Sequence, residues 1–121
     1  IGVLVKLKSE TKELDEIGKN ICMHIAALSP LSLNSDDLDE NFLNAEKEII
    51  KNQLIETGKP ENIIENIMQG KINKIISEVV LLKQNFVMDN TLSIEQYLEK
   101  SSNELNSPIS IEKFIRFELG N

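Results

Sequence analysis

The 121-residue sequence has no tryptophan, one tyrosine and a single cysteine. Cys22 alone cannot form an internal disulfide, and one histidine cannot complete a zinc site of clustered Cys and His ligands. Because aromatic residues are scarce, Ile, Leu and Val must supply the core. No apolar run approaches the ~18 residues of a membrane span. The chain begins inside an apolar run without the features of a signal peptide, so we expect further residues before Ile1.

Basic residues are also in short supply. Thirteen Lys and Arg stand against twenty Asp and Glu, which gives a formal net charge of -7. A polyanion would be repelled unless a local basic patch overrode this charge, and the strongest concentration, Lys71 to Lys74, has no interleaved aromatic residues. We therefore expect no direct binding of nucleic acid.

Motifs of catalysis and of nucleotide binding are missing. His24 is the only imidazole, and no motif brings a nucleophile and an orienting acid to it. Gly58-Lys59 lacks the earlier Gly and the following Ser or Thr of a phosphate loop, since Gln53 and Pro60 occupy those positions. We predict that the chain is not an enzyme, has no catalytic residues and binds no cofactor.

One acidic segment resembles a calcium loop only in part. Phe42 occupies the sixth position, where such a loop needs Gly to turn sharply. The surrounding pattern is helical, so the acidic residues are better explained as the solvated start of a helix, and we predict no metal site. The residues at the first, third, fifth and twelfth positions are Asp37, Asp39, Asn41 and Glu48.

Two segments at opposite ends of the chain alternate as half-buried strands do. In residues 2–8, Val3, Val5 and Leu7 share one face. We predict that the two strands pair into an antiparallel ribbon with Leu4 and Phe114 on its outer face, as ordinary exposed residues or as an interface with another subunit or domain. In the second strand, Ile111, Ile115, Phe117 and Leu119 are predicted to face one way, and Ser110, Glu112, Arg116 and Glu118 the other.

Apolar residues at three- and four-residue steps predict two ordinary amphipathic helices. The first runs to Leu28, capped by Ser9 or Thr11, and ends at Ser29-Pro30. A later helix, capped by Thr91 or Ser93, follows a loop after residues 85–87. The apolar residues are Leu14, Ile17, Ile21, Ile25 and Leu28 in the first helix, and Ile94, Tyr97, Leu98 and Leu105 in the later one.

Between them the sequence predicts a helical hairpin. One arm, capped by Asp36-Asp37, runs to about Thr57, and Gly58-Lys59-Pro60 connects it to the second arm. Arms of roughly 27 to 33 Å are long for a chain of this size, so we expect the hairpin to protrude. The facing stripes are Phe42, Ala45, Ile49 and Leu54 or Ile55 on one arm, and Ile64, Met68, Ile72, Ile75, Val79 and Leu82 on the other.

The predicted fold class is therefore α+β: a small antiparallel sheet of the terminal strands, packed with helices, and a protruding antiparallel helical hairpin. His24 lies beside the apolar stripe of the first helix, which favours a packed structural histidine over contact with a partner. Cys22 is interpreted as an inert small residue.

Several segments together resemble one known family. They are Ile1-Gly2-Val3-Leu4-Val5, Met23-His24-Ile25-Ala26-Ala27 before Pro30, Gly58-Lys59-Pro60, residues 65–74, Gln84-Asn85-Phe86-Val87-Met88, and Phe114 to Gly120. Their order and spacing resemble the C-terminal or dimerisation region of translation elongation factor Ts, across essentially the whole chain.

The resemblance implies a function and a partner. Members of this family release GDP from the translational GTPase elongation factor Tu, and the segment corresponding to Met23, His24 and Ile25 touches a barrel domain of that GTPase. It also implies a single dimerisation-type domain over residues 1–121, with a coiled-coil hairpin inserted at residues 38–83. We assign Leu4, Phe114 and Arg116 to a surface for homodimer formation.

Departures from the family pattern narrow this expectation. The Thr-Asp-Phe-Val motif that wedges near the magnesium site of the GTPase is absent, as is the N-terminal ubiquitin-associated-like domain, so this region is expected to anchor the partner and to exchange nucleotide poorly. Asn85 and Lys71 replace the usual proline and arginine. The hairpin favours a bacterial (cytoplasmic) or plastid protein over a mitochondrial one. The alternative is a helical scaffold or oligomerisation module with no link to the GTPase.

Overall fold

The computed structural model describes residues 1–118, so the predicted positions of Leu119 and Gly120 lie outside the described residues. The elements are β1 (Gly2–Ser9), α1 (Asp15–Leu28), α2 (Glu40–Ile55), α3 (Glu61–Val79), β2 (Asn85–Phe86), β3 (Asp89–Ser93), α4 (Ile94–Leu105) and β4 (Ile109–Phe117). Short 3-10 turns occupy Ser35–Asp37 and Leu81–Lys83. This confirms the α+β class. Within the described part of the chain, no helix is long and apolar enough to cross a membrane.

The terminal strands form the predicted antiparallel ribbon, β1 with β4. Its register shifts by one residue: Lys6 pairs with Lys113 but Leu7 pairs with Ile111, which leaves Glu112 as the extra residue of a β-bulge. Because side chains alternate with a period of two, one extra residue exchanges the two faces of β4 beyond the bulge.

The bulge overturns the predicted faces of β4. Phe114 lies opposite Val5 on the inner face and packs against the core, so the prediction that it shares the outer face with Leu4 is wrong. Arg116, opposite Val3, is also turned inward. The exposed outer face is instead made by Leu4, Ile115 and Phe117, with exposed fractions of 63%, 52% and 47%.

The main core lies between the ribbon, α1 and α4. Val3, Val5 and Leu7 pack against it, as the alternation of β1 predicts. The partly buried Tyr97 and Leu105 extend it along α4. Its buried members are Ile17, Ile21, Ile25, Leu81, Phe86, Ile94, Leu98, Ile109 and Ile111.

The helices α2 and α3 pack on each other through a second group of buried side chains, which we call the hairpin cluster. Gly58, in the connection between them, has a φ of 73°, the left-handed conformation that ends helices and favours glycine. The stripe predicted for α2 is wrong at Ala45 and Ile49, which are exposed, whereas Leu54 is buried as one of the two predicted alternatives. The hairpin cluster is made by Ile50, Leu54, Ile64 and Ile72, with Leu43, Ile67, Met68, Ile75 and Ile76 packed against them.

Capping residues were predicted for α1, α2 and α4, and the structure agrees with the prediction only for α4. Ser93 caps α4 with a full capping box, in which its side chain and that of Gln96 bond to each other's main-chain N–H. For α2 the cap is Asp39, whose side chain accepts from the N–H of Asn41, because Asp36 and Asp37 lie in a 3-10 turn. The N-cap position of α1 is Leu14, so neither predicted residue caps that helix.

A small hairpin of β2 and β3 stands where the sequence predicted a loop. Val87 and Met88 connect the two strands, and both side chains are exposed. Their short pairing carries no alternation long enough to be read from the sequence. We refer to Val87 and Met88 as the tip.

Candidate protein-interaction site

The three residues predicted to contact a partner lie together on α1 but differ in accessibility. Met23 is 53% exposed, whereas His24 and Ile25 are both 0% exposed. Ile25 is a member of the main core. Of the three side chains, Met23 is therefore the one that offers surface to another protein in this structure.

His24 is held by hydrogen bonds at both ring nitrogens. The main-chain N–H of Val87 donates to Nδ1 across 3.1 Å, and Nε2 lies 3.0 Å from Oε1 of Gln84. An N–H group can only donate, so Nδ1 carries a lone pair and the ring proton is on Nε2. His24 is thus a neutral imidazole that donates to Gln84 and accepts from Val87.

Gln84 extends this network to the end of α3. Its side chain is buried, and its Nε2 donates to the main-chain carbonyl of Glu78 across 2.8 Å. The ring of His24 also lies 6.0 Å from that of Phe86, which stacks on Tyr97 of α4. A single buried histidine therefore joins α1, the end of α3 and the hairpin of β2 and β3.

Sequence reasoning did not identify Gln84 or the tip as parts of this site. Val87 and Met88 are 47% and 56% exposed, and the main chain of Val87 is bonded to the residue next to Met23 on α1. The only feature of the sequence that points to them is a glutamine followed by an apolar segment after a helix, and this pattern is equally compatible with an ordinary loop. Partners this distant in sequence can be recognised only in the folded chain.

Arg116, predicted to serve dimer formation, lies at the end of α1. Its Nη2 donates to the carbonyl of Ala26 across 3.2 Å and lies 2.9 Å from Oε1 of Glu118. The last carbonyls of a helix lack intrahelical partners and form the negative end of the helix dipole, so a guanidinium stabilises them. The arrangement shows Arg116 supporting the helix that carries Met23 and His24.

Burial lowers the pKa of His24 below its ordinary value, and the hydrogen bond to Gln84 opposes this only in part. The unfolded chain, with a histidine pKa of about 6.5, then binds more protons than the folded chain in the range just below that value. We expect the free energy of unfolding to fall as the pH drops through this range, by at most about 1.4 kcal/mol per pH unit.

Urea unfolding at pH 7.5, 6.5 and 5.5 measures this effect, and His24→Gln serves as the control that removes the titrating group. The pH dependence in this range should be weaker in the variant. Stability that rises on acidification in the native chain would contradict the neutral, buried ring.

A metal site is not part of this arrangement: within residues 1–118, no three or more His, Cys, Asp or Glu side chains are grouped to hold an ion. What the site offers is exposed apolar side chains, Met23 and the tip, supported from inside by a buried polar network. Such a make-up is typical of a protein-binding surface, carried here by an α+β fold.

The comparison with known proteins identifies which module this is. The family model described as Elongation factor TS matches residues 1–121. The chain belongs to the elongation factor Ts family. Among curated relatives, it is similar to Elongation factor Ts of Lawsonia intracellularis (strain PHE/MN1-00), with 46% identity over 99% of this chain and 43% of the relative.

Two further relatives show the same coverage. Identity is 44% to Elongation factor Ts of Caulobacter sp. (strain K31), over 99% of this chain and 39% of the relative. It is 45% to Elongation factor Ts of Clostridium perfringens (strain SM101 / Type A), over 99% and 40%. The chain thus spans about two-fifths of the length of these relatives.

Proposed function

We propose that this chain is the part of a translation elongation factor that anchors the GTPase elongation factor Tu while GDP is released. Membership of the elongation factor Ts family supports the partner. The observation that carries the proposal is the exposure of Met23 beside a buried His24 that bonds to the tip. The site of action follows the partner, in a bacterial cytoplasm or a plastid.

Anchoring and exchange are different contributions to this function. An exchange factor drives nucleotide release only by binding the nucleotide-free GTPase more tightly than the GDP-bound form. Contacts that are equal in the two states shift no equilibrium between them. Since the chain lacks the Thr-Asp-Phe-Val wedge, we propose that it binds the GTPase but accelerates GDP release little, and that it catalyses no bond cleavage of its own.

The three residues predicted as contacts take different roles in this proposal. Met23 contacts the GTPase directly, and Val87 and Met88 extend the contact surface. His24 and Ile25 act from inside, His24 by holding the tip and Ile25 by packing α1 onto the main core. Exposed apolar side chains of this kind supply much of the binding energy of a protein interface when a partner covers them.

A charge placed on the proposed contact surface tests the anchoring role. We expect Met23→Glu to weaken retention of the chain on immobilised elongation factor Tu by about tenfold or more, because a carboxylate would be buried without a partner. Ile49→Glu is the matched control: Ile49 is also a helical, exposed apolar residue, at 52%, but lies on α2.

Two results would contradict the proposal. Equal retention of the Met23 and Ile49 variants would remove Met23 from the contact surface. No retention of the native chain, at concentrations up to the high micromolar range, would contradict binding of the GTPase itself.

Self-association is a second candidate, favoured by the outer face of the ribbon. Leu4, Ile115 and Phe117 are all about half exposed or more and point to the same side of β1 and β4. This face replaces the predicted set of Leu4, Phe114 and Arg116. Light scattering on the native chain and on Leu4→Glu decides it: a native chain that stays monomeric at high micromolar concentration contradicts a homodimer.

We also propose that the hairpin of α2 and α3, within residues 38–83, is a module inserted into the domain of residues 1–121. Its support is the hairpin cluster, which shares no buried member with the main core. Unfolding measurements can therefore test whether the hairpin and the main core unfold separately.

A further inference from the structure

We propose that Gln84 is a positioning residue: its side-chain amide fixes which nitrogen of His24 carries the proton, and this holds the main chain of Val87 at the tip. The role of the tip in binding rests on the function proposed above. The proposal concerns a residue that touches no partner itself, since Gln84 is 2% exposed.

The orientation of the Gln84 amide is set from the far side of the residue. The main-chain carbonyl of Glu78 can only accept a hydrogen bond, so the group of Gln84 that faces it at 2.8 Å must be the NH2. The amide oxygen then faces His24 at 3.0 Å. Rotating the amide by a half-turn would put oxygen against oxygen at Glu78 and two donors at Nε2 of His24, which loses both bonds.

The main chain of Gln84 is also fixed. Its N–H donates to the carbonyl of Val80 across 3.0 Å, and its carbonyl accepts from the N–H of Ile94 at the start of α4 across the same distance. The main-chain N–H and carbonyl of Gln84 are therefore held by hydrogen bonds that do not involve the ring of His24. A rigid, buried acceptor can select one tautomer of the histidine.

The selected tautomer is the one that can hold the tip. Only a neutral ring with its proton on Nε2 leaves a lone pair on Nδ1 for the N–H of Val87. Neither the side chain of Gln84, which is bonded to the ring, nor that of Phe86, whose ring centroid lies 6.0 Å away, is charged. Among the charged side chains on the neighbouring elements, those of Glu78, Lys83 and Asp89 are exposed to solvent. That of Arg116 is 18% exposed and is bonded to the carbonyl of Ala26 and to Glu118.

Gln84→Glu tests the proposal because it keeps the acceptor but adds a charge. A carboxylate beside His24 favours the imidazolium, in which both ring nitrogens carry protons. Nδ1 then faces the N–H of Val87 as a second donor, and that bond is lost. At a pH high enough to deprotonate the ring, the lone pair on Nδ1 returns and so does the bond.

The measurement is unambiguous because the chain has one histidine. Ring nitrogen shifts by NMR report the tautomer and charge of His24, and the hydrogen-exchange protection factor of the Val87 amide reports the bond. In the native chain we expect the Nε2-protonated neutral ring at pH 7. In Gln84→Glu we expect an imidazolium at pH 7 and about tenfold lower protection at Val87, both reversed at high pH.

Recovery at high pH separates this role from a merely structural one. The variant also loses the bond to the Glu78 carbonyl, but that loss does not depend on the charge of His24. Gln53→Glu, at an exposed position of α2, is the control for the added charge and should leave the ring and Val87 unchanged. If Gln84→Glu does not fold, Gln84→Met should show mixed tautomers and low Val87 protection at every pH.

An Nδ1-protonated ring in the native chain, or unchanged Val87 protection in both Gln84 variants, would overturn the proposal.

A second measurement adds elongation factor Tu and compares the affinity of Gln84→Glu with that of the native chain at each pH. We expect the affinity of Gln84→Glu to be about tenfold lower than that of the native chain at pH 7, and to approach the native affinity at high pH. Equal affinities of the variant and the native chain at every pH would overturn the link between the tip and binding. Absence of binding by the native chain contradicts the proposed function, and the partner-free measurement still decides the role of Gln84.

Discussion

Ile25→Ala is expected to lower the free energy of unfolding by about 2 to 5 kcal/mol. Ile25 is 0% exposed and packs in the main core, so truncation removes buried methyl and methylene groups and leaves a cavity among neighbours that can collapse only in part. Total stabilities of domains are about 5 to 15 kcal/mol, so this is a large share. Urea unfolding followed by the fluorescence of Tyr97, the only tyrosine, measures it.

The control for this substitution is Ile55→Ala, at a residue that is 54% exposed at the end of α2. A change within about 0.5 kcal/mol is expected there. The pair also tests how Ile25 serves binding. If Ile25→Ala kept its stability but lost retention on elongation factor Tu, Ile25 would be a contact residue and its place in the core would not explain its role.

Ile72→Ala is expected to cost a comparable amount, about 2 to 5 kcal/mol, but in the hairpin alone. Ile72 is 4% exposed in the hairpin cluster, which has four buried members. Most of the α-helical residues lie in α2 and α3, whereas Tyr97 packs against the main core. We therefore expect the part of the helical circular dichroism that comes from α2 and α3 to be lost at lower urea, while the Tyr97 transition keeps its midpoint.

For this second prediction, Ile49→Ala gives the reference, since Ile49 is an exposed residue of the same hairpin. Its circular dichroism should follow that of the native chain. Coincident shifts of the two probes in Ile72→Ala would show one cooperative unit, and the proposal that residues 38–83 form a separate module would fail.

Several predictions that rest on short stretches of chain agree with the structure. The helices α1 and α4, the capping residue Ser93 and the turn at Gly58 depend on periodicity and on backbone preferences that act within a few residues. The pairing of the two terminal strands also agrees, because each carries a clear alternation. The family was recognisable for a similar reason, since its motifs lie in order along the chain.

The stripe of α2 shows where such reasoning stops. Apolar residues occur there in adjacent pairs, Phe42 and Leu43, Ile49 and Ile50, Leu54 and Ile55. Two neighbours in a helix differ in direction by about 100°, so either member of each pair fits a continuous stripe. Packing against α3 selected Leu43, Ile50 and Leu54, a choice that the partner helix makes.

The faces of β4 were decided by the partner strand in the same way. The sequence of β4 alternates except at Lys113 and Phe114, but it does not show that Glu112 lacks a paired residue in the register with β1. This single extra residue turns Phe114 inward and Ile115 outward. The candidate surface for self-association changed with it. A bulge is a property of two strands together, so the sequence of one strand does not determine which residue is the extra one.

The role of His24 is the feature that could least be predicted without the tertiary structure. By itself, the sequence determined the amphipathic helix of α1, the place of His24 beside its apolar stripe and the family to which the chain belongs. Only the tertiary structure decided that the ring is buried and works from inside, because its partners Gln84 and Val87 lie 60 and 63 residues further along the chain. A hydrogen bond between groups so distant in sequence exists only once α1, α3 and the small hairpin have packed together.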